Sequence, residues 1–136
     1  KNMKTVLSKI AALLAFGIGI MAIYAGGNAV LDVWPNLSAV KWLTTYNLIA
    51  GVITAFLITP LISKDSRFAL TAAAATLGIH SLVMVLLQTT FRSAVAPASL
   101  EAMTTRIIVW LVVVTLMFIP RWILAGRKQQ KLRANA

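Results

Sequence analysis

Ile107–Pro120 reads IIVWLVVVTLMFIP, fourteen residues without a charge. Extended outward, the apolar window runs from about Met103 to Ile123. A spanning helix needs about 20 apolar residues to cross about 30 Å of hydrocarbon. Three more windows of that length lie upstream. They fall at roughly 8–28 (around IAALLAFGIGIMAIYAGG), 42–62 (WLTTYNLIAGVITAFLITPLI) and 68–88 (FALTAAAATLGIHSLVMVLLQ). Amphipathic periodicity is weak in all four, as for helices that meet lipid on one side and one another on the other. A membrane β-barrel would instead show alternating segments of about ten residues. The fold class expected is therefore all-α: an integral membrane antiparallel four-helix bundle, one domain over 1–136, with a basic tail at 124–136.

Composition points the same way. The 136 residues are 60% hydrophobic and only 12% charged, with a mean hydropathy of +0.86. Soluble domains carry about 25% charged residues, so a soluble enzyme is excluded as the default. There are no cysteines, hence no disulfide framework, thiolate metal site or cysteine nucleophile. The first span has the basic start and small residues (Ala25, Gly26, Gly27) of a signal peptide. Its apolar run is too long for a signal core, and it reads as a retained span. Ser63–Arg67 forces a tight hairpin between spans two and three, with Ser66 expected as N-cap. Longer loops fall at Ala29–Lys41 and Thr89–Ala102. Pro97 suits a first helical turn, and Pro120 is expected to kink or end span four.

The net charge of +10 is distributed as a topology signal. Ten of the thirteen cations fall at the N-terminus, in the second loop and at the C-terminus, one side of a four-span chain. Lys41, Arg92 and Arg106 lie on the other. Cytoplasmic segments carry excess Lys and Arg, so both termini are expected in the cytoplasm of a bacterial inner membrane. Trp122, Ile123 and Leu124 would sit at the headgroup boundary of a short interfacial helix, with the tail cations on anionic lipid at about 1 kcal/mol each. No fold or aromatic platform for nucleic acid accompanies the charge.

Small residues let helices approach in lipid. They line up as Ala15, Gly19, Ala22 and Gly26 in span one, with Asn47, Gly51 and Ala55 in span two. Span three has Ala74 and Gly78. These faces could pack within the chain or take a partner's helices. An ionisable residue at depth is a functional candidate; here it is His80, about 12 Å by helical rise from the nearer end of its span, with Thr76 and Met84 on its face. The outer half also holds Tyr24, Tyr46, Asn47, Ser81, Gln88, Arg106 and Trp110, whereas the inner half offers little beyond threonines. A polar layer or pocket in the outer half follows as an expectation. Its candidate ligand-binding residues are His80, Asn47, Tyr46 and Trp110, for a quinone or bound lipid. The competing account is that they only tie helices together. One histidine excludes bis-His haem within the chain; Met21, Met84 or Met117 would have to serve, so haem is disfavoured. The acids are all in loops, so no metal site and no catalytic carboxylate pair is expected. No phosphate-loop, zinc-protease or serine-nucleophile motif is present. The absence of a carboxylate at depth separates the chain from small four-span exporters, and the cation bias separates it from dual-topology fluoride channels.

In layout, Gly17–Gly27 with the polar Asn28–Lys41 loop, the LTTYNLIAG start of span two and the HSLVM of span three resemble small four-span bacterial inner-membrane proteins of the DoxX-like type. That resemblance implies an accessory membrane subunit, sometimes linked to quinone-dependent oxidation. The leading expectation is a non-catalytic accessory or scaffolding subunit with other membrane subunits as partners. The alternatives are a quinone- or lipid-binding redox component and a small transporter or channel.

Overall fold

The computed structural model describes residues 3–31, 33 and 40–134, with side chains of the last helix through Ile123 and at Gly126 and Gln130. Four helices account for the described chain, and no strand occurs among those residues. They are α1 (Met3–Val30), α2 (Lys41–Ser63), α3 (Ala69–Thr89) and α4 (Pro97–Ala134). Each has a stretch long and apolar enough to cross a membrane. Their outward faces carry Leu13, Met21, Phe56, Leu82 and Phe118, all more than half exposed. Water would not tolerate such a belt, whereas hydrocarbon would, so the chain fits a multi-pass membrane bundle.

Neighbours run antiparallel. Lys4 at the start of α1 forms an ion pair with Asp65 in the α2–α3 turn. Arg121, in the later part of α4, approaches the same carboxylate at 3.9 Å and donates to the Ser66 carbonyl at 3.3 Å. This is the hairpin end; the two longer connections mark the loop end. Helix α1 packs on α2 and α4, and α4 on α3. Above Thr54, α2 and α3 do not approach each other closely, and a gap separates them.

Close approach follows the small residues. The expected stripe Ala15, Gly19, Ala22 and Gly26 is buried along α1; Gly19 meets Gly51 and Ala55 of α2, Ala22 meets Gly51, and Gly26 meets Leu48. A Cβ on Gly26 would lie 2.6 Å from the Leu48 nitrogen, and one on Gly51 2.8 Å from the Gly19 carbonyl oxygen. These glycines are consumed inside the chain. Ala74 and Gly78 of α3 face outward instead, and a Cβ on Gly78 would meet nothing.

Three local features depart from expectation. Pro120 lies inside α4 and does not end it; the helix continues to Ala134. A proline costs one N–H and strains one carbonyl, which membrane helices accommodate. Trp122 is exposed on this helix, while the Leu124 side chain and those of the tail cations fall outside the described residues. Ser66 is not the N-cap of α3, which is Phe68. Its hydroxyl instead accepts the Phe68 N–H at 3.4 Å. Asp65 supplies the decisive geometry: at φ 50° it occupies the left-handed position after α2. Its N–H reaches the Ile62 carbonyl and that of Ser66 reaches Leu61, both at 3.0 Å. This is the pairing that normally takes glycine. The third feature is a π turn at Thr54–Ile58. Pro60 cannot donate to Phe56 and crowds its carbonyl; the wider turn relieves this. The Thr59 N–H and hydroxyl both return to the Thr54 carbonyl, the hydroxyl at 2.9 Å.

Two apolar clusters fill the bundle. The hairpin-end cluster gathers Ala11, Ala15, Ile62, Ala73, Trp110 and Val113 among others. The loop-end cluster holds Val40, Leu43, Val83, Leu87 and Met103. Trp42 and Phe91, with ring centroids 5.5 Å apart, cover it.

Candidate functional site

Between the two clusters lies a polar layer. Most hydroxyls in the helices need no partner across the bundle. Thr76 donates to Ala72 at 2.8 Å, Ser81 to Leu77 at 2.9 Å and Thr115 to Leu111 at 2.7 Å, each closing onto its own helix. Such back-bonding satisfies a hydroxyl locally, so Ser81 drops out of the layer the sequence predicts.

Among the described residues, two pairs at this level do cross between helices. The Tyr46 hydroxyl lies 2.9 Å from His80 Nδ1, joining α2 to α3. Arg106 of α4 donates through Nη1 to Asn47 Oδ1 of α2. Trp110, one helical turn beyond Arg106 and fully buried, presents its ring edge-on to His80 with centroids 6.4 Å apart. The four sequence-predicted candidates His80, Asn47, Tyr46 and Trp110 therefore meet in one layer, together with Arg106. Tyr24 and Gln88 are exposed on the bundle's exterior. Met21 is also exposed, and Met117 lies in the hairpin-end cluster, so neither sits beside His80.

The layer opens two ways. Toward the bundle surface, the gap between α2 and α3 is a groove of about 140 Å³. Its walls are Ile49, Ala50, Ile53 and Ile58 on one side and Thr76 and Ile79 on the other, with Tyr46 and His80 at one end. The π turn contributes Thr54 and Ile58 to this wall. Such turns recur at functional sites because they re-aim side chains without breaking the helix. Toward the loop end, a smaller pocket of about 80 Å³ is bounded by α1, α2 and α4 and reaches Asn47 and Arg106.

Sequence inspection misses two parts of this arrangement. The π turn depends on how the backbone answers Pro60, and the visible signal was a proline followed at once by no helix break. The division of the layer into two pairs depends on adjacent residues, Tyr46 and Asn47, pointing to different neighbours about 100° apart on α2. No family model, curated protein or solved structure matches the chain.

Proposed function

We propose that this is a multi-pass protein of a bacterial inner membrane, both termini cytoplasmic, that binds the polar end of a quinone- or lipid-like amphiphile between α2 and α3. The observation that carries the reading is the lipid-facing groove closed at one end by the Tyr46–His80 pair. An apolar tail would lie along Ile49, Ile53 and Ile79. Imidazole and phenol are each able to donate one hydrogen bond and accept another. A carbonyl or hydroxyl head could therefore join the pair without a charge being buried. The DoxX-like layout is part of the same reading. A photoreactive quinone analogue incubated with protein in nanodiscs tests it. Labelling should fall on 46–58 and 76–80 and drop about tenfold in Tyr46→Phe and His80→Ala, the loss of one good hydrogen bond in a dry site. Labelling spread over the lipid-facing surface, and indifferent to both substitutions, would refute it.

A second reading, an accessory subunit of a larger complex, is favoured by α3. Its outward face presents Thr71, Ala74, Ala75 and Gly78, all exposed, the type of surface a partner's spanning helix packs on. Gly78→Leu should release such a partner during mild-detergent purification. Migration of the native protein as a lone monomer would count against it.

A further inference from the structure

Arg106 is 6% exposed, and among the described residues its hydrogen-bond partner across helices is the neutral amide of Asn47. Among the described residues no carboxylate pairs with it; the two ion pairs found both involve Asp65 at the opposite end. A guanidinium taken out of water costs several kcal/mol, and an amide oxygen returns only part of that. Arg106 also borders the loop-end pocket, whose other polar lining is Thr44 and Ser99. Ala25, Gly26, Ala29, Ala98 and Ala102 keep its remaining walls low. Thr44 lies in the first turn of α2 and Ser99 in the first turn of α4, two long helices whose positive ends converge on this space. Glu101, Lys41 and Arg92 at this end are exposed and point into solvent or headgroups.

We propose that this pocket is a phosphate site, with the Arg106 fork as its charged wall, Asn47 holding the fork in place, and Ser99 as a hydroxyl donor. Its volume of about 80 Å³ is enough for a phosphate group, and a guanidinium matches two phosphate oxygens at once. The site lies on the other side of α2 from the Tyr46–His80 groove and stands or falls without it. A phosphate here comes either from a lipid headgroup or from free inorganic phosphate.

The experiment uses the full chain in dodecyl maltoside micelles, a phosphate-free detergent, in phosphate-free buffer. In one arm, the micelles are titrated with inorganic phosphate. In the other, phosphatidylglycerol is added to the micelles, and native mass spectrometry reads retained lipid. Thermal midpoints follow both. One source should raise the midpoint and bind saturably: stabilisation by inorganic phosphate assigns the site to the free ion, and retention of phosphatidylglycerol assigns it to the headgroup. Arg106→Gln should abolish the response. Because that variant can misfold for want of packing, Asn47→Asp provides the second reading. It places a carboxylate beside the guanidinium, so the fold should hold while phosphate binding weakens at least about tenfold. A native midpoint unmoved by either source, or an Asn47→Asp protein that responds like the native one, would overturn the proposal.

Discussion

The two sides of α2 are built on opposite principles. On the side facing α1, Gly51 and Ala55 meet Gly19 and Ala22, Leu48 meets Gly26, and the backbones touch. On the side facing α3, the branched residues Ile49 and Ile53 line an open groove, and one hydrogen bond between Tyr46 and His80 crosses the gap. Lipid tails are as apolar as a protein core, so helices in a bilayer gain little from hiding leucine and much from shape. The close seam spends its surface on packing. The open seam leaves a groove in which another molecule can compete with lipid on equal terms.

Perturbing each seam separately tests the contrast. The largest effect should come from Trp110, fully buried in the hairpin-end cluster. Trp110→Ala should lower stability by about 3–5 kcal/mol, the range for deleting a large buried aromatic, as read from unfolding in mixed micelles. Next comes the close seam. A Cβ at position 26 or 51 would fall within 3 Å of the facing backbone, so the helices must separate. Gly26→Ala and Gly51→Ala should each cost about 1–3 kcal/mol by overpacking in the same assay. At the open seam, Tyr46→Phe removes a single interhelical bond, worth about 0.6 kcal/mol in a membrane. Its stability cost should be small while labelling by the quinone analogue falls. The smallest effect belongs to Gly78, whose added Cβ meets nothing. Gly78→Ala should leave the unfolding midpoint of the isolated protein where it is. Equal costs at Gly51 and Gly78 would erase the distinction between packed and unpacked faces.

Hydropathy made the four helices legible because a bilayer imposes length and apolarity together. The expected windows 42–62 and 68–88 match α2 and α3 to within one residue at each end. The outer helices are longer than expected: α1 begins at Met3, and α4 runs from Pro97 to Ala134. Helices continue past the hydrocarbon where Lys4 or Arg121 can reach water or pair with Asp65, and apolarity does not mark those turns. The depth of His80, Tyr46, Asn47, Arg106 and Trp110 could also be counted along the chain. Their pairing could not, because it depends on the rotation of each helix about its axis. That rotation follows from which small residues meet: Ala15 through Gly26 turned inward, whereas Ala74 and Gly78, equally small, turned outward. Pro60 and Pro120 make the same point. One is absorbed by a π turn and the other by an uninterrupted helix, and nothing in the two residues alone distinguishes them.

On the proposed topology, the Tyr46–His80 and Asn47–Arg106 pairs lie at the same level of a bilayer crossed four times, with the loop end outside. Because the chain has no cysteine, single substitutions report sidedness cleanly. In intact cells, a membrane-impermeant maleimide should label Ser93→Cys, between α3 and α4, and should label Lys64→Cys, in the α2–α3 turn, only after the membrane is broken. Labelling of Lys64→Cys from outside, or of both positions alike, would contradict the account.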